Sequence, residues 1–147
     1  MEQNNHINMN WDEEIIKGWK ELGFYYRLDD YNKQWWLIGS KAGLLNFAEI
    51  IEKYAADVRN ENVSEHIHLG WYEYLKIVTL DAPLISNDGI GGSINDLRHL
   101  KEIIIKNLET KNPGEMFSIG KEYQPESDFS IKFFVMADGF DPSTIDL

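Results

Sequence analysis

The chain has 147 residues, of which 43% are hydrophobic, and its 25 acidic and 14 basic side chains leave a formal net charge of −11. A single domain of this length buries enough apolar surface to fold unaided, and the absence of cysteine excludes disulfides and thiolate chemistry. Nucleic acid and anionic lipid attract basic proteins, so the charge argues against both, and no apolar run approaches the ~20 residues of a membrane span.

The predicted elements begin with a helix. Residues 1–9 have no apolar periodicity and no secretory signal, so we expect a flexible lead-in on a cytoplasmic protein. From Asn10 to Leu22 apolar residues recur at helical spacing, and Gly23 ends the helix. Residues 24–28 and 35–38 then predict a hairpin around a polar turn.

The longest apolar stripe in the sequence follows this hairpin. Ser40 is a typical helix cap, and after it Leu44, Phe47, Ile51 and Ala55 fall on one helical face. Residues 65–69 and 73–79 predict two strands. The segment from residue 80 to 92 has the composition of a loop, with at most a short strand at residues 84–85.

A second capped helix follows Ser93, which forms a capping-box pattern with Asp96. Residues 112–114 end that helix, and strands are expected at 116–123 and 129–136, with an acidic tail at 138–147. Three helices and about six strands, with strands often adjacent, predict a single α+β domain over residues 10–137. We expect its helices to cover one face of a mixed or mainly antiparallel sheet.

The two Gly-Ser corners also indicate an internal strand–helix pseudo-repeat. A shift of 53 positions places Gly39, Ser40 and Leu44 on Gly92, Ser93 and Leu97. Neither corner has the lysine of a phosphate-binding loop or the glycine spacing of a dinucleotide site. Tight turns and helix caps explain both corners, so we expect no cofactor.

A His-x-His pair is the most specific chemical motif. His66 and His68 lie two apart on a predicted strand, a spacing from which two imidazoles can converge on one metal. No third ligand is evident in the sequence. Two interpretations stay open, one with structural or surface histidines and one with a metal site.

Aromatic residues form a third feature, because several of them lie on the predicted strands or between them. They occupy positions 35, 36, 71, 72 and 74. Large aromatic side chains are mainly core residues, and core is the favoured interpretation, with an interface as the alternative.

The order of an apolar strand, IGS, KAGL, a helix, HIHL and YLKI over residues 36–79 resembles a family of bacterial immunity proteins from polymorphic toxin systems. The matching positions are Leu37, Ile38, Gly39, Ser40, Gly43, Leu44, His66 and His68. The resemblance implies a small cytosolic α+β protein that binds and neutralises a toxin without catalysis of its own.

Composition and resemblance together favour a non-catalytic acidic binding protein, an immunity-type inhibitor of a basic toxin partner. Residues 115–147 hold seven acids and two bases, and complementary charge speeds association. The candidate partner-binding residues are Glu122, Tyr123, Glu126, Asp128, Asp138, Phe140 and Asp141. One alternative is a metal-binding protein or metal-dependent hydrolase that uses His66 and His68; another is a homodimeric assembly module.

Overall fold

The computed structural model describes the backbone of residues 2–61, 66–69 and 74–145, and the side chains of these ranges except residues 2–11 and His66. The helices are α1 (Glu2–Leu22), α2 (Lys41–Ala56) and α3 (Ile94–Thr110), with 3-10 turns at Val58–Asn60 and Pro142–Thr144. The strands are β1 (Phe24–Asp29), β2 (Gln34–Ser40), β3 (His66–Leu69), β4 (Leu75–Thr79), β5 (Leu84–Ile85), β6 (Gly89–Gly92), β7 (Met116–Ile119) and β8 (Ser130–Met136).

The predicted α+β single domain is confirmed, but its strands form two sheets where the sequence predicts one. The first sheet has the order β1-β2-β8-β7 and the second the order β3-β4-β6-β5. In each sheet the central pair is parallel and both outer pairs are antiparallel. None of the helices in the described part of the chain is long and apolar enough to cross a membrane.

The unexpected strand is β6, whose sequence Gly-Ile-Gly-Gly has the composition of a loop. It nevertheless pairs with β4 on one side and β5 on the other, so it lies inside the second sheet. Tyr123 supplies bulk that β6 lacks, since a Cβ on Gly92 would overlap with the Tyr123 hydroxyl. Glycine at this position therefore reflects close approach of another segment.

Both predicted helix caps are present and have nearly the same geometry. Ser40 has φ −66° and ψ 168°, and its side chain accepts a hydrogen bond from the Gly43 N–H. Ser93 has φ −68° and ψ 168° and forms the full capping box with Asp96. Each half of the chain contributes two antiparallel strands, a capped helix and two more strands, while the internal pseudo-repeat itself stays a prediction.

A single core lies between the inner faces of the two sheets and the apolar stripes of α2 and α3. Phe47 of α2 packs edge-on against Phe24 of β1 with ring centroids 5.4 Å apart, and it also contacts Phe133 of β8 at 6.3 Å. The Trp35 indole N–H donates to the Ser86 carbonyl over 2.7 Å, which joins the first sheet to the connection between β5 and β6.

Both ends of the chain contain secondary structure. The first helix starts at Glu2, earlier than the Asn10 expected from the sequence. In the predicted acidic tail, Asp141 caps a 3-10 turn whose Pro142 and Ser143 are buried. Lys20 of α1 reaches Asp141 at 3.6 Å, which ties the described part of the tail to the first helix.

One acidic side chain joins the two core helices. Glu52 of α2 accepts a hydrogen bond from Lys101 of α3 over 2.7 Å and another from Arg98 over 3.3 Å. These hydrogen bonds hold the pKa of Glu52 below its ordinary value of 4.5. The folded state therefore favours the charged form, and the resulting stabilisation is present above that value and lost as the pH falls through the lowered pKa.

We expect Glu52→Gln to lower the free energy of unfolding by about 0.5–1 kcal/mol at pH 7, because a networked ion pair is lost. The difference from the wild type should shrink once the pH falls below 4.5. Urea denaturation at several pH values measures it. Glu49→Gln is the control, since Glu49 is exposed and forms no ion pair within the described residues. A difference that persists unchanged at low pH would contradict the assignment.

Gly43→Ala should destabilise the protein much more than Glu52→Gln. Gly43 lies in the first turn of α2 against Gly23, whose φ of +87° ends α1, and a Cβ on residue 43 would overlap with the Gly23 carbonyl oxygen. Because backbone must move, we expect a loss of about 2–3 kcal/mol in the free energy of unfolding. Gly120→Ala, where the nearest atom is 3.4 Å away, is the matched control. Equal stability of the two variants would rule out the close approach.

Candidate functional site

The outer face of the first sheet carries apolar side chains where a solvent-facing sheet is usually polar. Along β2 and β8, Trp35, Leu37 and Phe133 point into the core and are fully buried. Their neighbours in sequence alternate to the opposite face. We define the aromatic face as Trp36, Ile38, Phe134 and Met116 with the two cations Arg27 and Lys132.

The strand register places these six residues in two adjacent rows. Ile38, Phe134 and Met116 occupy one row, and Arg27, Trp36 and Lys132 occupy the next. Trp36 and Phe134 contact each other with ring centroids 5.1 Å apart. The rows therefore form one continuous patch across all four strands.

Two cations lie against the aromatic rings of this face. The Arg27 guanidinium carbon is 5.8 Å from the Trp36 ring centroid, and the Lys132 ammonium is 5.8 Å from that of Phe134. Such contacts hold long side chains flat over the rings. Met116 is 49% exposed, Trp36 and Phe134 are half-buried, and the indole nitrogen of Trp36 is buried without an acceptor among the described residues.

Acidic side chains collect at one end of the aromatic face. The turn after β1 and the segment between β7 and β8 meet there, because Lys33 pairs with Asp128 over 2.8 Å and the Lys33 carbonyl accepts from Ser130 N–H. The Lys33 hydrogen bond lowers the pKa of Asp128, and Asn32 lowers that of Asp29 in the same way. Asp30, Glu122 and Glu126 at this end are exposed.

The opposite end carries a second acidic group. Asp138 is exposed just beyond the end of β8, and Asp141 follows in the capped 3-10 turn. Hydrogen bonds from Ser143 lower the pKa of Asp141, so this carboxylate stays ionised at neutral pH. The seven residues of β8 separate the two acidic ends by roughly 20 Å at the usual rise per residue.

The predicted partner-binding residues are consequently divided between two places. Glu122, Glu126 and Asp128 lie at the first end, whereas Asp138, Phe140 and Asp141 lie at the second. Phe140 is half-buried near the start of α2. The sequence predicts these residues without indicating that the aromatic face lies between them.

Tyr123 is a correction, because the predicted exposed aromatic contact is a core residue. Its side chain is 4% exposed, and its hydroxyl donates to the Gly91 carbonyl over 2.7 Å. Burial raises the pKa of Tyr123 far above the ordinary tyrosine range, so the phenol stays protonated and remains a donor. It joins the β7–β8 connection to the second sheet instead of facing a partner.

The two predicted metal ligands lie on β3, an edge strand of the second sheet. His66 pairs with Val78 and His68 with Lys76 in the β4 register. His68 is exposed and its ring meets Tyr74 edge-on at 5.2 Å, while the side chain of His66 lies outside the described residues. Among the described side chains no group of three His, Asp or Glu residues is placed to hold a metal. The His66–His68 metal site stays a prediction.

The aromatic face had a partial sequence signal. Of the clustered aromatics, Trp35 is core, Trp36 belongs to the face, Tyr74 is 49% exposed, and positions 71 and 72 lie outside the described residues. The runs Trp-Trp-Leu-Ile and Phe-Phe-Val lack the alternation of a strand with one wet side. That pattern indicates apolar residues on both faces, although it does not show which neighbours they meet.

No protein-family model matches this chain, and no curated protein or solved structure matches it either.

Removing only the Tyr123 hydroxyl tests its structural role. We expect Tyr123→Phe to lower the free energy of unfolding by about 1–2 kcal/mol, the usual cost of losing a buried hydrogen bond. Tyr31→Phe is the control, because Tyr31 is 94% exposed and should tolerate the change. Thermal and urea denaturation of both variants measure the effect. An unchanged stability for Tyr123→Phe would show that the bond to Gly91 is energetically neutral.

Proposed function

We propose that this chain is a non-catalytic protein-binding domain that acts as an immunity-type inhibitor of a basic toxin. The aromatic face carries the proposal. It presents partly buried Trp36 and Phe134 with exposed Met116 and Arg27, and aromatic residues, methionine and arginine are the types enriched at the centres of protein interfaces.

The charges around the face favour a basic partner. Acidic groups stand at both of its ends, with Asp30, Glu122 and Glu126 exposed at one and Asp138 at the other. An apolar centre with a charged rim is the usual arrangement of a protein interface. Arg27 and Lys132, the two cations within the face, would donate hydrogen bonds to acceptors on the partner. The acidic residues at its ends would speed association with positive side chains.

The mechanism of inhibition is occlusion. The centre of the face lies on β2 and β8, the central parallel pair of the first sheet, whose inner residues Leu37 and Phe133 are fully buried. A surface on such rigid strands needs little ordering when it binds. The domain would therefore inhibit by covering the partner's active surface, with no covalent step. The resemblance of residues 36–79 to immunity proteins supports the same conclusion.

Capture with matched variants tests this proposal. The tagged full chain, its Met116→Glu variant and its Leu45→Glu variant are each recovered from a lysate of the source organism and analysed by native mass spectrometry. Met116 is 49% exposed on the face, and Leu45 is 40% exposed on α2, which packs against the inner side of the first sheet. We expect one stoichiometric basic protein with the wild type and Leu45→Glu, and at least tenfold weaker binding with Met116→Glu.

The effect of the captured protein on growth then distinguishes inhibition from simple binding. Its expression alone should arrest growth, and co-expression of the wild-type chain, but not of Met116→Glu, should restore it. No stoichiometric partner, an acidic partner or equal binding by both variants would overturn the proposal. A concentration-dependent dimer mass with no other protein would support the assembly module instead.

A further inference from the structure

The second sheet has a feature of its own, a cavity of about 270 Å³ on its outer face. Inner residues Ile77 and Ile90 face the core, while Val78 of β4, Gly91 of β6 and Leu84 of β5 form a row on the other side. Because the middle position of this row has no side chain, the side chain of Leu80 packs directly over Gly91, where a Cβ would overlap with it. Leu80 forms a further apolar wall.

One end of the cavity carries two opposite charges. Lys76 and Asp88 both line it, and they are adjacent because the Lys76 N–H donates to the Asp88 carbonyl over 3.2 Å. Neither side chain forms an ion pair with another residue in the described ranges. Lys76 is half-buried and Asp88 is exposed. At the opening of the cavity, a ligand carboxylate can therefore reach Lys76 and a ligand ammonium group can reach Asp88.

The size of the cavity limits the ligand. At ~30 Å³ per water molecule the volume corresponds to about nine waters, which is enough room for a ligand no larger than a single aliphatic amino acid. The walls of the cavity are apolar, and its opening carries one positive and one negative side chain. A matching ligand therefore has an aliphatic side chain and a zwitterionic group. We propose that this cavity binds an aliphatic α-amino acid, with its carboxylate toward Lys76, its ammonium toward Asp88 and its side chain against Val78, Leu80 and Leu84.

This site is separate from the aromatic face, which lies on the other sheet. It uses none of the six residues of that face. Failure of one proposal therefore leaves the other intact.

The test is a titration of the ¹⁵N-labelled full chain with leucine, followed by the amide resonances of Gly89 and Gly91. For so small a ligand we expect a Kd on the order of 1 mM, so a titration to about 10 mM reaches saturation. Two analogues separate the head groups, namely 4-methylpentanoate, which lacks the amine, and 3-methylbutylamine, which lacks the carboxylate. Each should bind at least tenfold more weakly than leucine.

Two charge-removing variants assign the contacts. Lys76→Met should weaken leucine and 4-methylpentanoate but not the amine, whereas Asp88→Asn should weaken leucine and the amine but not the acid. Asp81→Asn is the control, because Asp81 is an exposed acid in the connection between β4 and β5 and does not line the cavity. Absence of shifts at Gly89 and Gly91, or equal binding of leucine and both analogues, would overturn the proposal.

Discussion

Parallel pairing between β2 and β8 is the constraint on which the rest of the structure depends. Residues 34–40 align with residues 130–136, so more than half of the chain, residues 41–129, lies between the two partners. Parallel strands need a crossover connection, and here that connection contains α2, the entire second sheet and α3. The pairing also leaves β8 pointing back toward the start of α2, from where the described part of the tail reaches Lys20 of α1.

The same pairing creates the aromatic face. Placing Leu37 beside Phe133 in the core necessarily places Trp36 beside Lys132 and Ile38 beside Phe134 on the other side. One register therefore decides both the packing of the core and the composition of the outer surface. The acidic ends follow as well, because the connections that enter and leave these strands carry the carboxylates.

Much of the local structure could be predicted from the sequence. The caps at Ser40 and Ser93, the stripes of α2 and α3 and the strands around His68 depend on neighbouring residues, whose effects appear as periodicity and turn chemistry. The secondary-structure prediction was wrong where contacts with distant residues outweigh the local preference of the sequence. Strand β6 has a loop composition, yet pairing on both sides and the Tyr123 hydroxyl stabilise it. The sequence around Tyr123 has the composition of a surface turn. Only its contact with Gly91 in the folded protein shows that Tyr123 is buried.

The sequence by itself determined the α+β class, the positions of the capped helices and the acidic balance, since these follow from residue types and short-range spacing. Only the tertiary structure decided that the strands divide into two sheets, that the candidate acids lie roughly 20 Å apart and that Trp36, Phe134 and Met116 share one face. The physical reason is that strand order and parallel register join residues far apart in the chain. The free energy that stabilises those pairings comes from burial of apolar surface by all the elements of the core together. It therefore cannot be inferred from any single segment of the sequence.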